Sequence, residues 1–174
     1  RAIFLVVGPA CGVGARSCTP PGLSCAVVER EGIGGTCVLW GCIPAKAFLE
    51  SAAVANKALH AGEFGVNVTG EVGFDFGVAM KRSRGVSSQN SKGVEFLFKK
   101  NKVTWIRGTG RIVKASAGAA ASLSVKGADG KEEKHDAKKA LVVATGSRVR
   151  GLPQIGLELN KTTVISSDEA LTLE

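Results

Sequence analysis

A chain of 174 residues with 44 % apolar side chains suits one domain with an ordinary buried core. The apolar run Ile3-Phe4-Leu5-Val6-Val7 is far too short to span a bilayer, and no signal-peptide pattern is visible, so no membrane partner is expected. The net charge of +8 raises nucleic-acid binding, but without an aromatic stacking motif, zinc finger or recognition module no nucleic-acid partner is expected.

Ile3 to Val7 reads as a buried strand and Ala26-Val27-Val28-Glu29 as a second. A dinucleotide-binding fold would put a glycine-rich turn and a helix between them, with backbone approaching a pyrophosphate at the helix N-terminus. Gly8 opens that turn, and Glu29, ending the second strand, suits a ribose hydroxyl. The pattern then breaks. Gly8-Pro9-Ala10-Cys11-Gly12-Val13-Gly14 is not G-x-G-x-x-G, and Pro20-Pro21 falls where a helix should run. Residues 9–21 therefore read as a local frameshift in the encoding DNA, the alternative being a degenerate nucleotide site.

Next comes Gly34-Gly35-Thr36-Cys37-Val38-Leu39-Trp40-Gly41-Cys42-Ile43-Pro44-Ala45-Lys46, which carries two thiols across a glycine bend and onto the start of a helix. Pro44 is tolerated in a first helical turn, and 45–59 is rich in strong helix formers with no Gly or Pro. Cys42 thus falls at a helix entrance, where unpaired amides and the macrodipole lower a thiol below its free pKa of about 8.5. Gly41 lets the chain turn back far enough for a disulfide. A redox pair and a pair of buried core thiols are both compatible with this spacing. A metal site lacks ligands, since the third cysteine of a ferredoxin-type run is replaced by Ala45. Cys11, Cys18 and Cys25 have no functional spacing, and five cysteines without a disulfide framework suit a reducing, cytoplasmic compartment.

Residues 61–66 read as a turn, and 76–101 as a long helix with apolar spacing at Phe76, Met80, Val86, Val94, Leu97 and Phe98. Seven Lys or Arg against one acid in 81–102 are expected on the solvated face of that helix. Val103-Thr104-Trp105-Ile106 reads as a strand with Trp105 in the core, and 107–111 as a tight turn. The alternation Leu123-Ser124-Val125-Lys126 and the Asp129-Gly130 turn suit a small antiparallel meander. Ala140-Leu141-Val142-Val143-Ala144 reads as a buried parallel strand ending in Thr145-Gly146-Ser147, and His60 and His135 as surface residues.

The string 34–46, with the strand ending at Glu29 before it and Ala47-Phe48-Leu49-Glu50-Ser51-Ala52 after it, resembles the flavin-dependent pyridine nucleotide-disulfide oxidoreductases. Ile43, where glutathione and mercuric reductases usually have Val, is similar to the members that oxidise dihydrolipoamide. The resemblance implies an incomplete α/β, Rossmann-like FAD-binding domain with a parallel sheet and a small antiparallel meander. Residues 1–174 would form its N-terminal part, with NAD-binding and dimer-interface domains beyond. It implies FAD as cofactor, NAD in the full-length protein, a homodimer, and dihydrolipoamide on a 2-oxoacid dehydrogenase complex as partner. Cys37 would exchange with substrate and Cys42 would face the flavin. Gly8, Glu29, Gly35, Thr36, Lys46 and Gly110 would bind cofactor, as would Thr145, Gly146 and Ser147, and no metal is expected. Leu39 and Ala45 depart from the family's usual Asn and Ser or Thr. A glutathione- or mercuric-reductase-like member, or a non-catalytic truncated binding fragment, are the alternatives.

Overall fold

The structure, a computed structural model, describes residues 2–7, 23–116 and 120–173. Gly8 and the irregular stretch 9–21 lie outside them. The chain divides into two compact units, Arg1–Thr36 with Asn90–Arg148, and Cys37–Gln89 with Val149–Glu174.

The first unit is built on four strands, β1 (Ala2–Val7), β2 (Leu23–Glu29), β3 (Thr104–Arg107) and β7 (Ala140–Val143), in the order β3-β2-β1-β7 with every pairing parallel. Sequential strands run outward from β1 to β3, and the chain then returns to place β7 on the other side of β1. That reversal is the topological switch of a doubly wound sheet. Side chains alternate across β2 because the strand period is two. Cys25 and Val27 pack with Ile33, Phe98 and Val103 on one face, joined by Val94 and Trp105. Ala26 and Val28 pack with Leu123, Val125 and Ala137 on the other.

That second face is covered by the meander β4 (Thr109–Lys114), β5 (Ala121–Lys126) and β6 (Glu132–Ala137), paired antiparallel in sequence order. The α/β class and the meander agree with the sequence expectation. Three details do not. The expected turn at 107–111 is a bend at Gly108 alone, and Gly110 lies inside β4 opposite Val125, because the meander draws the chain straight into a strand. β7 is the edge strand of the described sheet, so Val142 and Val143 are exposed rather than buried. His60 is exposed as expected, but His135 faces Leu123 across β5 and β6 and its Nε2 is buried.

The second unit holds most of α1 (Gly35–Leu39), all of α2 (Cys42–Leu59), a 3-10 turn (Ala61–Phe64) and the first half of α3 (Phe76–Lys100). Its C-terminal segment carries a second 3-10 turn (Pro153–Ile155) and the short helix α4 (Ser167–Ala170). α2 docks on α3 through buried Pro44 and Ala47, and Phe48 meets Phe76 edge to face at 5.2 Å. By length and composition Gly35–Leu59 could cross a membrane. The break at Gly41, the charges Lys46, Glu50 and Lys57, and the docking of one face on α3 instead give an amphipathic helix pair.

Candidate functional site

Cys37 and Cys42 are joined in a disulfide with Cα atoms 4.6 Å apart. The pairing removes the buried-core alternative, and both residues are exposed. Two helix ends create the site. α1 opens at Gly35, where positive φ at Gly34 (127°) and Gly35 (67°) turns the chain in a way that side-chain-bearing residues resist. It runs only to Leu39, and the chain turns back through Trp40 and Gly41 so that Cys42 begins α2. Gly41 at the N-cap has no side chain to satisfy the first amides of this 18-residue helix. Sulfur at Cys42 therefore sits at the positive end of a helix dipole, which favours a thiolate there on reduction. Lys46 is exposed four residues further on, one turn along the same helix.

The backbone around both cysteines is held by α3. Ser83 Oγ donates to Pro44 O at 2.8 Å, Ser87 Oγ to Val38 O at 2.6 Å, and Arg84 Nη1 to Leu39 O at 2.8 Å. The Arg84 guanidinium lies 4.8 Å over the Trp40 ring. Arg82 Nη1 reaches Ala47 O at 2.7 Å. These residues escaped sequence reasoning: the arginines counted there as solvated charges, and serines interrupt the apolar pattern of α3. The available signal was the four-residue spacing Ser83, Ser87, Ser91, which puts three hydroxyls on one helix face.

The remaining predicted residues fall in the first unit. Val28 and Val143 both pair with Val7, so Glu29 and Ala144 stand one residue beyond, at the carboxyl edge of the two strands that flank β1. Glu29 is buried, 5 % exposed. Its Oε1 accepts from the Glu31 amide at 2.8 Å, and its carbonyl accepts from Gly108 N and Trp105 Nε1. Arg107, its pairing partner, stacks over the Trp105 ring at 3.9 Å, and Arg148 bonds Glu31. Thr145, Gly146 and Ser147 follow β7 as an exposed loop with Gly146 at φ 73°. Gly35 is buried and Thr36 exposed at the start of α1, while Gly110 is remote in sequence and set in the meander. Among the described residues no group of three His, Cys, Asp or Glu converges to hold a metal.

Residues 7–174 fit the family model of the pyridine nucleotide-disulphide oxidoreductases. The dihydrolipoyl dehydrogenase of Chlorobaculum parvum is 45 % identical over 153 residues, covering 88 % of this chain and 31 % of that protein. That of Bacillus subtilis is 42 % identical over 155 residues, covering 88 % and 32 %. The crystal structure of LpdA from Mycobacterium tuberculosis superposes with a TM-score of 0.84 at 22 % identity, covering 99 % of this chain and 37 % of that one, a likeness of fold. The chain spans about a third of the length of the relatives it matches. With the family model covering nearly its whole length, the chain belongs to the pyridine nucleotide-disulphide oxidoreductases.

Proposed function

We propose that this chain is the N-terminal FAD-domain part of a dihydrolipoyl dehydrogenase, a cytoplasmic homodimer that serves a 2-oxoacid dehydrogenase complex, with its NAD-binding and interface domains outside these 174 residues. The observation that carries the proposal is the exposed Cys37–Cys42 disulfide at the entrance of α2. A thiolate of dihydrolipoamide attacks Sγ of Cys37, the disulfide breaks, and Cys42 leaves as a thiolate stabilised by the first-turn amides of α2. The second substrate thiol then attacks the substrate sulfur of the mixed disulfide, releasing lipoamide and the Cys37 thiol. Two electrons have moved from substrate to the cysteine pair, and substrate gives up two protons.

FAD, when bound, supplies a two-electron acceptor between this dithiol and NAD⁺. The donor set fits such a group. Glu29 is buried at the carboxyl edge with one oxygen on the Glu31 amide, which leaves the other for a ribose hydroxyl. Gly35 and Thr36 open α1 with backbone amides, and Thr145, Gly146 and Ser147 present a hydroxyl-bearing loop beyond β7. Lys46 is assigned to holding negative charge on the bound group, and Gly8 and Gly110 to its phosphate and adenosine portions. The test is turnover by the full-length protein: dihydrolipoamide with NAD⁺ should give NADH, and Cys37→Ser or Cys42→Ser should reduce the rate to background. Reduction of glutathione disulfide in place of lipoamide chemistry would overturn the substrate assignment.

A further inference from the structure

We propose that Ser83, Arg84 and Ser87 of α3 are positioning residues that clamp the backbone on both sides of the Cys37–Cys42 disulfide and set its redox equilibrium; this rests on the disulfide chemistry proposed above. The carbonyls they hold belong to Val38, Leu39 and Pro44, each within two residues of a cysteine. α1 is only five residues long, so no further turn of that helix donates amides to the carbonyls of Val38 and Leu39. Ser83 and Ser87 are fully buried, at 0 % exposure. An alanine at either place would stay buried without desolvating a hydroxyl. What the hydroxyls add is direction: each fixes one carbonyl, one before the Trp40-Gly41 turn and one after it. Arg84 adds a third bond at Leu39 and lies over Trp40, so the turn between the cysteines is gripped as well.

Reduction replaces a covalent link with two thiols that are free to separate. A backbone clamped at both ends limits that separation, so the dithiol gains little entropy and re-closure stays favourable. Loss of the clamp frees the reduced loop and shifts the equilibrium toward the dithiol.

The experiment equilibrates the full-length protein with dithiothreitol redox buffers, traps thiols by acid and alkylation, and counts alkylated Cys37 and Cys42 by mass spectrometry. Ser83→Ala and Ser87→Ala should each shift the equilibrium toward the dithiol by about fivefold, the worth of one hydrogen bond, and the pair by more. Ser91→Ala is the control. Ser91 Oγ donates to Ile33 O at 2.6 Å from the same helix face, but four residues away from Cys37. Its loss should cost comparable stability and leave the redox equilibrium unchanged. An unshifted equilibrium in Ser83→Ala and Ser87→Ala, or an equal shift in Ser91→Ala, overturns the clamp. A parent disulfide that does not exchange with the buffer at all overturns the disulfide reading itself, and the clamp with it.

Discussion

A buried hydroxyl or carboxylate without a partner costs about 1–3 kcal/mol, so a fold keeps one only where it is bonded. Ser83, Ser87 and Glu29 are all buried and all bonded to backbone groups, Pro44 O, Val38 O and Glu31 N. Glu169 shows the same economy at the surface. The Ser166 hydroxyl and then the Ser166 amide donate to its carboxylate and hold its pKa below the ordinary value, while the hydroxyl accepts from Asp168 N to close a capping box. A carboxyl depressed in the folded state contributes stability above its unfolded pKa and loses it as pH falls through the folded one. The cap of α4 should therefore open only in acid. Side-chain NMR should titrate Glu169 below the usual carboxyl value of about 4.3, and Ser166→Ala, which removes the hydroxyl but keeps the backbone amide, should move it part of the way back; an unshifted midpoint in the parent would refute the cap. At this scale the cysteine pair was legible through the whole string 34–46 and the family it resembles, since spacing alone left a pair of core thiols open. The buried serines were not, since a hydroxyl reads as solvated until the carbonyl it serves is in view.

Elements were legible where their period was long and unbroken. α2 and α3 fall within a residue of expectation, and Pro44 in the first turn marked the start of α2 correctly. Short glycine-containing stretches were not, because a glycine marks a turn or a tight approach equally well. Gly108 is the second kind. A Cβ there would stand 2.6 Å from Lys126 O and 2.7 Å from Val125 Cγ1, while its amide donates to Glu29 O at 3.2 Å. The glycine lets β3 of the parallel sheet pass directly into the meander, with no room for a side chain. Gly108→Ala must push the two apart, at a cost of about 1–3 kcal/mol. Denaturant unfolding should show a lower midpoint with an unchanged slope. Gly62→Ala, whose Cβ meets nothing within 4 Å, should stay within about 0.5 kcal/mol of the parent.

On the scale of the molecule, strand order gives the fold its use. Because β1 lies between β2 and β7, the chain leaves β1 in one direction and returns on the other, and in doubly wound sheets the ligand crevice lies at that point of reversal, outside the carboxyl edge. Val28, Val7 and Val143 are level there, so Glu29 and the loop after β7 flank the end of β1. The sequence carried this order only through its apolar runs and the family motif, since no local pattern states which strand returns beside which. If FAD occupies that crevice, it binds the folded state alone, and at a free concentration of 100 times Kd it should raise stability by about 2.7 kcal/mol. Glu29→Gln is the discriminating variant. Its amide oxygen can still accept from Glu31 N, so the buried bond survives, but the second carboxylate oxygen that a ribose hydroxyl needs is gone. Full-length apoprotein carrying Glu29→Gln should therefore fold with near-parent stability while binding FAD about tenfold or more weakly, the loss expected for a hydrogen bond to a charged group. Flavin fluorescence quenching measures the affinity and thermal unfolding without FAD measures the fold. Equal affinity in parent and variant would place the ribose away from β2.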